Sequence, residues 1–208
     1  MLAQATKATD KYFRVEIDDG VATLYFDAPG ESVNTLFPEV GAEFSAVLAE
    51  LQSDPKVRGI VFTSGKKDSF IAGAKIEMVQ ACKSQADAVE LSRKAQADFD
   101  RLEKLEKPVV AAIHGSCLRG GLEWALACHY RIAVPTVNVG LPEVQIGILP
   151  GGGGTQRLPR LVGQGRALEL ILSARSVKAD EAERIGLVNR VVPREQLLDE
   201  AVKLAESI

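Results

Sequence analysis

Two glutamates are the residues of this chain whose type and setting are best suited to chemistry. Glu123 follows the glycine pair Gly120 and Gly121, and Glu143 lies in a Gly-Leu-Pro-Glu run shortly before four glycines at 151–154. Two carboxyl groups in different environments can hold different proton affinities, so that one serves as a base and the other as an acid. Glycines allow a ligand to approach backbone N–H groups closely. The pair therefore predicts acid–base chemistry on a carbonyl compound, if the fold brings the two side chains together.

The elements that must position this pair can be read from apolar periodicity and from the breaks between apolar runs. Strands are expected at 12–18, 21–26, 59–64, 108–113, 130–133 and 187–192, and helices at 38–51, 84–105, 120–128, 155–162, 164–173, 179–185 and 193–208. Residues 140–154 are expected to form glycine-rich turns. Because strands alternate with helices through the middle of the chain, the predicted class is α/β. Repeats and linkers are not evident, so residues 1–208 are expected to form one domain.

The predicted elements also suggest where a negative charge would be stabilised. A helix that begins at Gly120 leaves unpaired backbone N–H groups in its first turn. The loop that ends at Ala74 follows another buried strand and could bring a second N–H to the same pocket. Two such donors would stabilise a carbonyl oxygen that gains negative charge. Pro142 is expected at the first position of a helix, which would place Glu143 at a helix start. The residues alone predict an α/β enzyme with a carbonyl or thioester substrate.

Simpler interpretations compete with each of these features. A glycine pair before a helix usually serves packing, and a helical glutamate is usually solvated. The glycines at 151–154 lack the GK[ST] ending of a phosphate loop, so a nucleotide site is not expected. Cys117 has no evident histidine partnership that would make it a nucleophile. His114 and Trp124 are expected to be structural.

Composition excludes several other classes of function. The 208 residues carry a formal net charge of -3, which gives no bias toward nucleic acid or an anionic membrane. The longest apolar runs are too short to span a membrane, and the N-terminus lacks the apolar core of a signal peptide. The three cysteines lack CxxC spacing and the two histidines belong to no ligand-spaced cluster, so no metal is expected. Reduced thiols and a cytoplasmic location are expected.

Several blocks, in order along the chain, resemble the enoyl-CoA hydratase/isomerase (crotonase) family. They are Phe-Ile-Ala-Gly-Ala at 70–74, Ala-Ile-His-Gly-Ser-Cys-Leu at 112–118, Gly-Gly-Leu-Glu at 120–123, Gly-Leu-Pro-Glu at 140–143 and Arg-Leu-Pro-Arg at 157–160. The chain most resembles the hydratase domains at the N-terminus of multifunctional α-subunits of fatty-acid β-oxidation complexes. The stretch 27–36 and the Gly-Ser-Cys-Leu turn carry that closer likeness.

The resemblance implies a ClpP-like spiral of ββα units and an acyl-CoA thioester substrate. It implies that the amides of Ala74 and Gly120 hold the thioester oxygen, that Glu123 is the water-side base and that Glu143 is the proton donor. Substrate contacts are expected at Ala72, Gly73, Gly121, Pro150 and Gly151. The implied reaction is hydration of a trans-2-enoyl-CoA by a lyase that needs no metal or redox cofactor. There are two alternatives. One is isomerisation of a Δ3 enoyl-CoA to the Δ2 form, and the other is a non-catalytic relative that binds acyl-CoA or a partner protein.

Two positions and the length of the chain depart from the family pattern. Lys75 stands where relatives usually have aspartate, and Arg119 stands where they usually have glycine. These cations could strengthen the positive field at the donors, contact a CoA phosphate or bend the backbone, and we expect altered activity. Relatives usually continue beyond residue 208 with helices that cover the acyl site and form trimers, so the C-terminal helical region is expected to be truncated. A trimer-based homo-oligomer or membership of a fatty-acid oxidation complex is expected.

Overall fold

The fold is seen in a computed structural model, which describes residues 11–208 and the backbone of a short strand at Ala5–Thr6. The strands are β1 (Ala5–Thr6), β2 (Phe13–Asp18), β3 (Val21–Phe26), β4 (Gly59–Ser64), β5 (Ser69–Ile71), β6 (Val109–Ile113), β7 (Ser116–Leu118), β8 (Tyr130–Ala133), β9 (Asn138–Gly140), β10 (Val177–Lys178) and β11 (Arg190–Val191). The helices are α1 (Pro38–Ser53), α2 (Ile76–Gln80), α3 (Gln85–Glu103), α4 (Gly120–Ala127), α5 (Gly154–Val162), α6 (Gln164–Ser173), α7 (Ala179–Arg184) and α8 (Leu197–Ser207). Two 3-10 turns cover Glu143–Ile146 and Arg194–Gln196.

Within the described residues these strands form two sheets. The larger has the order β1-β2-β3-β4-β6-β8-β11, antiparallel from β1 to β3 and parallel from β3 onward. The smaller has the order β10-β9-β7-β5, with β9, β7 and β5 parallel. The hairpin between β2 and β3 turns at Asp19 and Gly20, which both have positive φ, 41° and 83°. A two-residue turn with this backbone matches the twist of the strands that it joins.

The chain alternates between the two sheets. After β4 it enters β5 and then α2 and α3, after β6 it enters β7 and then α4, and after β8 it enters β9. This repetition is the spiral of ββα units that the family resemblance implied. Since β5, β7 and β9 are parallel, their carboxyl ends lie at one edge of the smaller sheet. The segments that follow them, 72–74, 119–120 and 141–143, are therefore brought to the same place.

A core of apolar side chains fixes α4 behind that edge. β4 and β6 are buried along their whole length, and α8 packs against both. Trp124 of α4 is 2% exposed and stacks on Phe62 of β4, with ring centroids 4.9 Å apart and planes inclined by 3°. Its ring also lies 4.1 Å from that of Phe44 on α1. The expectation that Trp124 is structural is confirmed, and its neighbour in sequence, Glu123, is held on a rigid helix.

Several expected elements differ from those observed. The strand expected at 187–192 is reduced to Arg190–Val191, because the amides of Leu187 and Val188 bond to the carbonyl of Ala182 in a turn. The final helix begins as a 3-10 turn and becomes α-helical only at Leu197. Pro142 does not begin an α-helix; it precedes the 3-10 turn Glu143–Ile146. Among the residues described, no helix is both long and apolar enough to cross a membrane.

Candidate active site

The backbone amides of Ala74 and Gly120 lie side by side at the edge of the smaller sheet. A Cβ built on Gly120, the first residue of α4, would lie 3.6 Å from the nitrogen of Ala74. Ala74 forms a parallel β-bridge with Leu36, and the hydrogen bonds of this bridge come from the neighbours of Ala74. The Leu36 N–H donates to the Gly73 carbonyl (2.8 Å), and the Lys75 N–H donates to the Leu36 carbonyl (2.9 Å). Within residues 11–208, the amides of Ala74 and Gly120 themselves donate to no other group. Two adjacent free donors are what an oxyanion requires.

Asn34 holds the loop that carries Ala74, and nothing in the sequence pattern singled it out. Asn34 is fully buried, and its carbonyl accepts the Ala72 N–H at 2.9 Å. Its side-chain amide donates to the carbonyls of Phe26 (2.7 Å) and Phe70 (3.3 Å), and its Oδ1 accepts the Ala28 N–H at 3.0 Å. One side chain thus ties the end of β3 to β5. Its place in the stretch 27–36, which is part of the family resemblance, was the only available signal.

Glu123 lies in the first turn of α4 and is 4% exposed. Its Oε1 accepts the N–H groups of Gly152 and Gly154, both at 2.8 Å. Burial raises the pKa of this carboxyl, while the hydrogen bonds from Gly154 and Gly152 and the charge of Arg157 act in the opposite direction. The glycine run at 151–154, which the sequence placed among turns, therefore holds the carboxyl group of Glu123 by two backbone hydrogen bonds.

Arg157 holds the glycine run in place, and the sequence did not single it out as a functional residue. Its Nη1 donates to the Gly152 carbonyl at 3.1 Å, and its Nη2 pairs with Asp100 (2.7 Å) and Glu103 (2.8 Å) of α3. The guanidinium therefore fixes the glycine run against α3 and adds positive charge near Glu123.

Glu143 begins the 3-10 turn after β9 and is also 4% exposed. Its Oε2 is enclosed and has no hydrogen-bond partner among the described residues. Burial is the main cause that raises the pKa of Glu143 to about 7; the charge of Glu123 raises it further, and the charge of Arg119 opposes the shift. The influence of Glu123 on Glu143 shows that the fold brings together two glutamates that are twenty positions apart in sequence. Their settings differ, since Glu123 accepts two N–H groups and the Oε2 of Glu143 accepts none.

Arg119 and Lys75, the two departures from the family pattern, differ in their placement. Arg119 has φ 53° and ψ −132°, so its position does require positive φ, and its N–H donates to the Gly140 carbonyl at 2.9 Å. Lys75 has ordinary negative φ, and its Nζ lies 3.4 Å from Glu31 Oε1 and 4.4 Å from the ring centre of Phe37. The strained backbone and the cation that acts on Glu143 both belong to Arg119.

The remaining predicted substrate contacts lie around the same edge, and their role stays a prediction. Ala72 and Gly151 are half-buried and Pro150 is buried; the Gly151 carbonyl accepts a hydrogen bond from Gln96 at 2.8 Å. Gly73 has φ 120°, and a Cβ there would lie 2.7 Å from Cβ of Arg119. A Cβ on Gly121 would lie 2.2 Å from the Ile71 carbonyl oxygen, so this glycine allows α4 to pack on β5.

Other candidate reactive groups are structural in their placement. Burial raises the pKa of Cys117 and, to about 12, that of Cys128, so both are held as thiols. His114 is 6% exposed, its Nε2 lies 2.7 Å from the Lys66 carbonyl oxygen, and burial lowers its pKa. In the part of the chain that the structure describes, no three acidic, histidine or cysteine side chains are grouped as metal ligands would be.

Comparison with known proteins gives a consistent result for sequence and structure. The family model for enoyl-CoA hydratase/isomerase matches residues 16–208. The fatty acid oxidation complex subunit alpha of Shewanella putrefaciens is 55% identical over 190 residues, which cover 90% of this chain and 27% of that protein. An enoyl-CoA hydratase from Geobacillus kaustophilus superimposes with a TM-score of 0.90 at 30% identity, over 96% of this chain and 75% of that one. One from Bacillus anthracis gives 0.87 at 34% identity, over 94% and 76%.

The chain thus spans about a quarter of the length of the curated relative described above, at 27%. The matched region nevertheless includes both glutamates, both free amides and the glycine run. The fold is the crotonase fold, and the chain belongs to the enoyl-CoA hydratase/isomerase family.

Proposed function

We propose that this protein is an enoyl-CoA hydratase, which adds water across the 2,3 double bond of a trans-2-enoyl-CoA to give a 3-hydroxyacyl-CoA. The observation that carries the proposal is the meeting of two differently placed carboxyl groups, Glu123 and Glu143, with the free amides of Ala74 and Gly120. Water adds at C3 only if the electron pair of the double bond can move onto the thioester oxygen. The two amides are placed to stabilise the enolate that results.

The settings of the two glutamates support a division of roles. Burial raises the pKa of Glu123, and the two backbone N–H groups that it accepts, together with the nearby charge of Arg157, oppose that shift and favour its ionised form. Glu143 has no donor on Oε2 and a pKa raised to about 7, so a large share of it is protonated near neutral pH. Glu123 then takes a proton from water while the oxygen bonds to C3, and Glu143 gives its proton to C2. Exchange of both carboxyl groups with solvent, after product leaves, restores the starting state.

These steps need no metal or redox cofactor, and CoA enters as part of the substrate. The predicted contacts at Ala72, Gly73, Gly121, Pro150 and Gly151 are proposed to line the path of the thioester. The relatives named above suggest that the protein functions in fatty-acid β-oxidation, as part of an oxidation complex or as a trimer-based homo-oligomer, with a cytoplasmic location. Exposed leucines at 161, 168 and 172 offer apolar surface for such contacts. Light scattering of the purified protein would measure its oligomeric state.

The test is the loss of the conjugated enoyl absorbance of crotonyl-CoA. We expect Glu123→Gln and Glu143→Gln each to reduce kcat by roughly 100- to 10,000-fold, the usual contribution of general acid–base catalysis. Glu195→Gln is the matched control, because Glu195 is exposed and lies in the 3-10 turn before α8. Unchanged rates in both site variants would reject the paired-carboxylate mechanism.

Assays on the same purified protein distinguish two other functions from hydration. Conversion of a 3-enoyl-CoA into the conjugated 2-enoyl-CoA would reveal isomerase activity, which one carboxyl group near C2 could perform by moving a proton. Wild-type protein that binds acyl-CoA without turning over either substrate would be a non-catalytic relative. The strained backbone of Arg119 beside the amides is the observation that favours this last outcome.

A further inference from the structure

Arg119 is a cation without a partner at the centre of the candidate site. Its Nε is enclosed without a hydrogen bond, and no ion pair joins its guanidinium to any residue of 11–208. Every other arginine in that range that is not exposed has a hydrogen bond or an ion pair, namely Arg14, Arg131, Arg157 and Arg175. Enclosed polar groups are usually satisfied in folded proteins, and an exception at a site indicates a missing ligand group.

The backbone of Arg119 strengthens this indication. Its φ of 53° with ψ −132° is a conformation that suits glycine, and an arginine there carries strain. Strained residues persist mainly where the surrounding structure enforces them, and they cluster at ligand sites. The side chain is also confined, since its Cβ and Cδ lie 2.7 and 3.3 Å from the position of a Cβ on Gly73. It therefore runs beside the loop that carries the Ala74 amide.

Arg119 lies beside Gly73, next to the loop that carries the Ala74 amide, and its charge acts on a carboxyl group of the same site. The group on which it acts is Glu143, the carboxyl group that we place at C2 of the acyl chain. A substrate anion in this region would be repelled by an ionised glutamate unless a cation balanced the charge. A guanidinium presents parallel N–H donors that match a carboxylate, and such charge-assisted pairs are strong.

We propose that Arg119 binds a carboxylate carried on the acyl part of the thioester, so that the preferred substrates are enoyl thioesters that end in a carboxylate. This inference rests on the proposed function for the identity of the thioester. It makes Arg119 a residue that determines substrate specificity, and not merely a substitution at a position where relatives usually have glycine. The reaction that supplies such a substrate must form the 2,3 double bond of a dicarboxylic acyl thioester.

The experiment compares two 2-enoyl-CoA substrates of equal chain length, one ending in a methyl group and one in a carboxylate. For the wild type we expect kcat/KM to favour the carboxylate. Arg119→Met should reduce that preference by roughly 10- to 100-fold, the usual range for a charge-assisted hydrogen bond. Arg119→Lys should retain part of it. Arg166→Met, at an exposed arginine of α6, is the control and should retain all of it.

Further arms separate this inference from the proposed function and from contact with CoA. Calorimetric binding of saturated acyl-CoAs with and without the terminal carboxylate tests recognition even if no hydration occurs. The same pair presented as N-acetylcysteamine thioesters lacks the phosphates of CoA, and the carboxylate preference should persist. A preference that vanishes with the phosphates would overturn the inference. So would equal affinity of wild type for both acyl groups, or a preference unchanged in Arg119→Met.

Discussion

Replacing Arg119 by glycine should make this protein more stable, although the arginine contributes more atoms to packing. Positive φ costs an L-residue about 1–2 kcal/mol, and backbone outliers outside the usual basins cost up to about 3 kcal/mol. The ψ of −132° places Arg119 outside the small left-handed basin, so its strain belongs to the upper part of that range. The enclosed Nε, which has no hydrogen bond, adds a further desolvation cost that glycine removes.

Two terms oppose this gain. Glycine loses more backbone entropy on folding, by about 0.5–1 kcal/mol relative to alanine. The contact of the arginine side chain with Gly73 is also lost. We expect a net stabilisation of about 1–2 kcal/mol, which raises Tm by about 2–8 °C for a chain of this size. Thermal and urea unfolding followed by far-UV circular dichroism would measure it.

The control variants separate the strain from the guanidinium. Arg119→Ala keeps the Cβ and the positive φ but removes the charge, so it should be less stable than Arg119→Gly. Ala174→Gly is a matched control, because Ala174 has φ 56° and ψ 18°, within the ordinary left-handed basin. Its gain should be smaller, about 0.5–1 kcal/mol. If Arg119→Gly were no more stable than Arg119→Ala, the assignment of strain to this backbone position would be refuted.

Three further predictions concern stability. The folded-state pKa of Glu143 is raised to about 7, so its stabilising contribution is complete below the unfolded value near 4.5 and is lost as pH rises through about 7. Glu143→Gln should therefore gain about 2 kcal/mol relative to wild type between about pH 5 and pH 8 in urea unfolding, and a constant difference would contradict the shift. Lys75→Asp should raise the free energy of unfolding by about 0.5–1 kcal/mol in the same assay, because Lys75 precedes α2 without capping it and aspartate is a good N-cap residue. A less stable variant would show that the contacts of Lys75 with Glu31 and Phe37 outweigh capping. Gly121→Ala should lower the free energy of unfolding by more than about 3 kcal/mol or prevent folding, because its Cβ would lie 2.2 Å from the Ile71 carbonyl oxygen. Gly165→Ala is the control: its site in α6 is open, so this variant should be more stable by about 0.5–1 kcal/mol.

The central strands of the larger sheet could be predicted from sequence because they carry their own signal. Val21–Phe26 and Tyr130–Ala133 were predicted with the bounds that the structure shows, from apolar runs between turn residues. The smaller sheet was missed entirely. Its strands, such as Ser116–Leu118 and Asn138–Gly140, have only two or three residues, too few for a period to appear. They are strands because neighbouring segments of the fold pair with them.

The candidate site divides in the same way. The family blocks singled out Glu123, Glu143, Ala74 and Gly120, and the structure brings these residues together. The partners that hold them come from distant segments, as Asn34 does for the loop before Ala74. The glycine run at 151–154 has an ordinary turn composition, and only tertiary contact reveals that two of its amides bind Glu123.

The aromatic cluster behind α4 has a spectroscopic consequence. Trp124 is the only tryptophan of the chain, is 2% exposed, and adjoins Glu123 in sequence. Five phenylalanine rings lie within 6.3 Å of its ring centre, those of Phe13, Phe26, Phe44, Phe62 and Phe99. Its fluorescence should therefore be blue-shifted and should come from one known point beside the candidate active site. Emission from the unlabelled protein would report whether α4 stays docked as substrate analogues bind or as the chain unfolds.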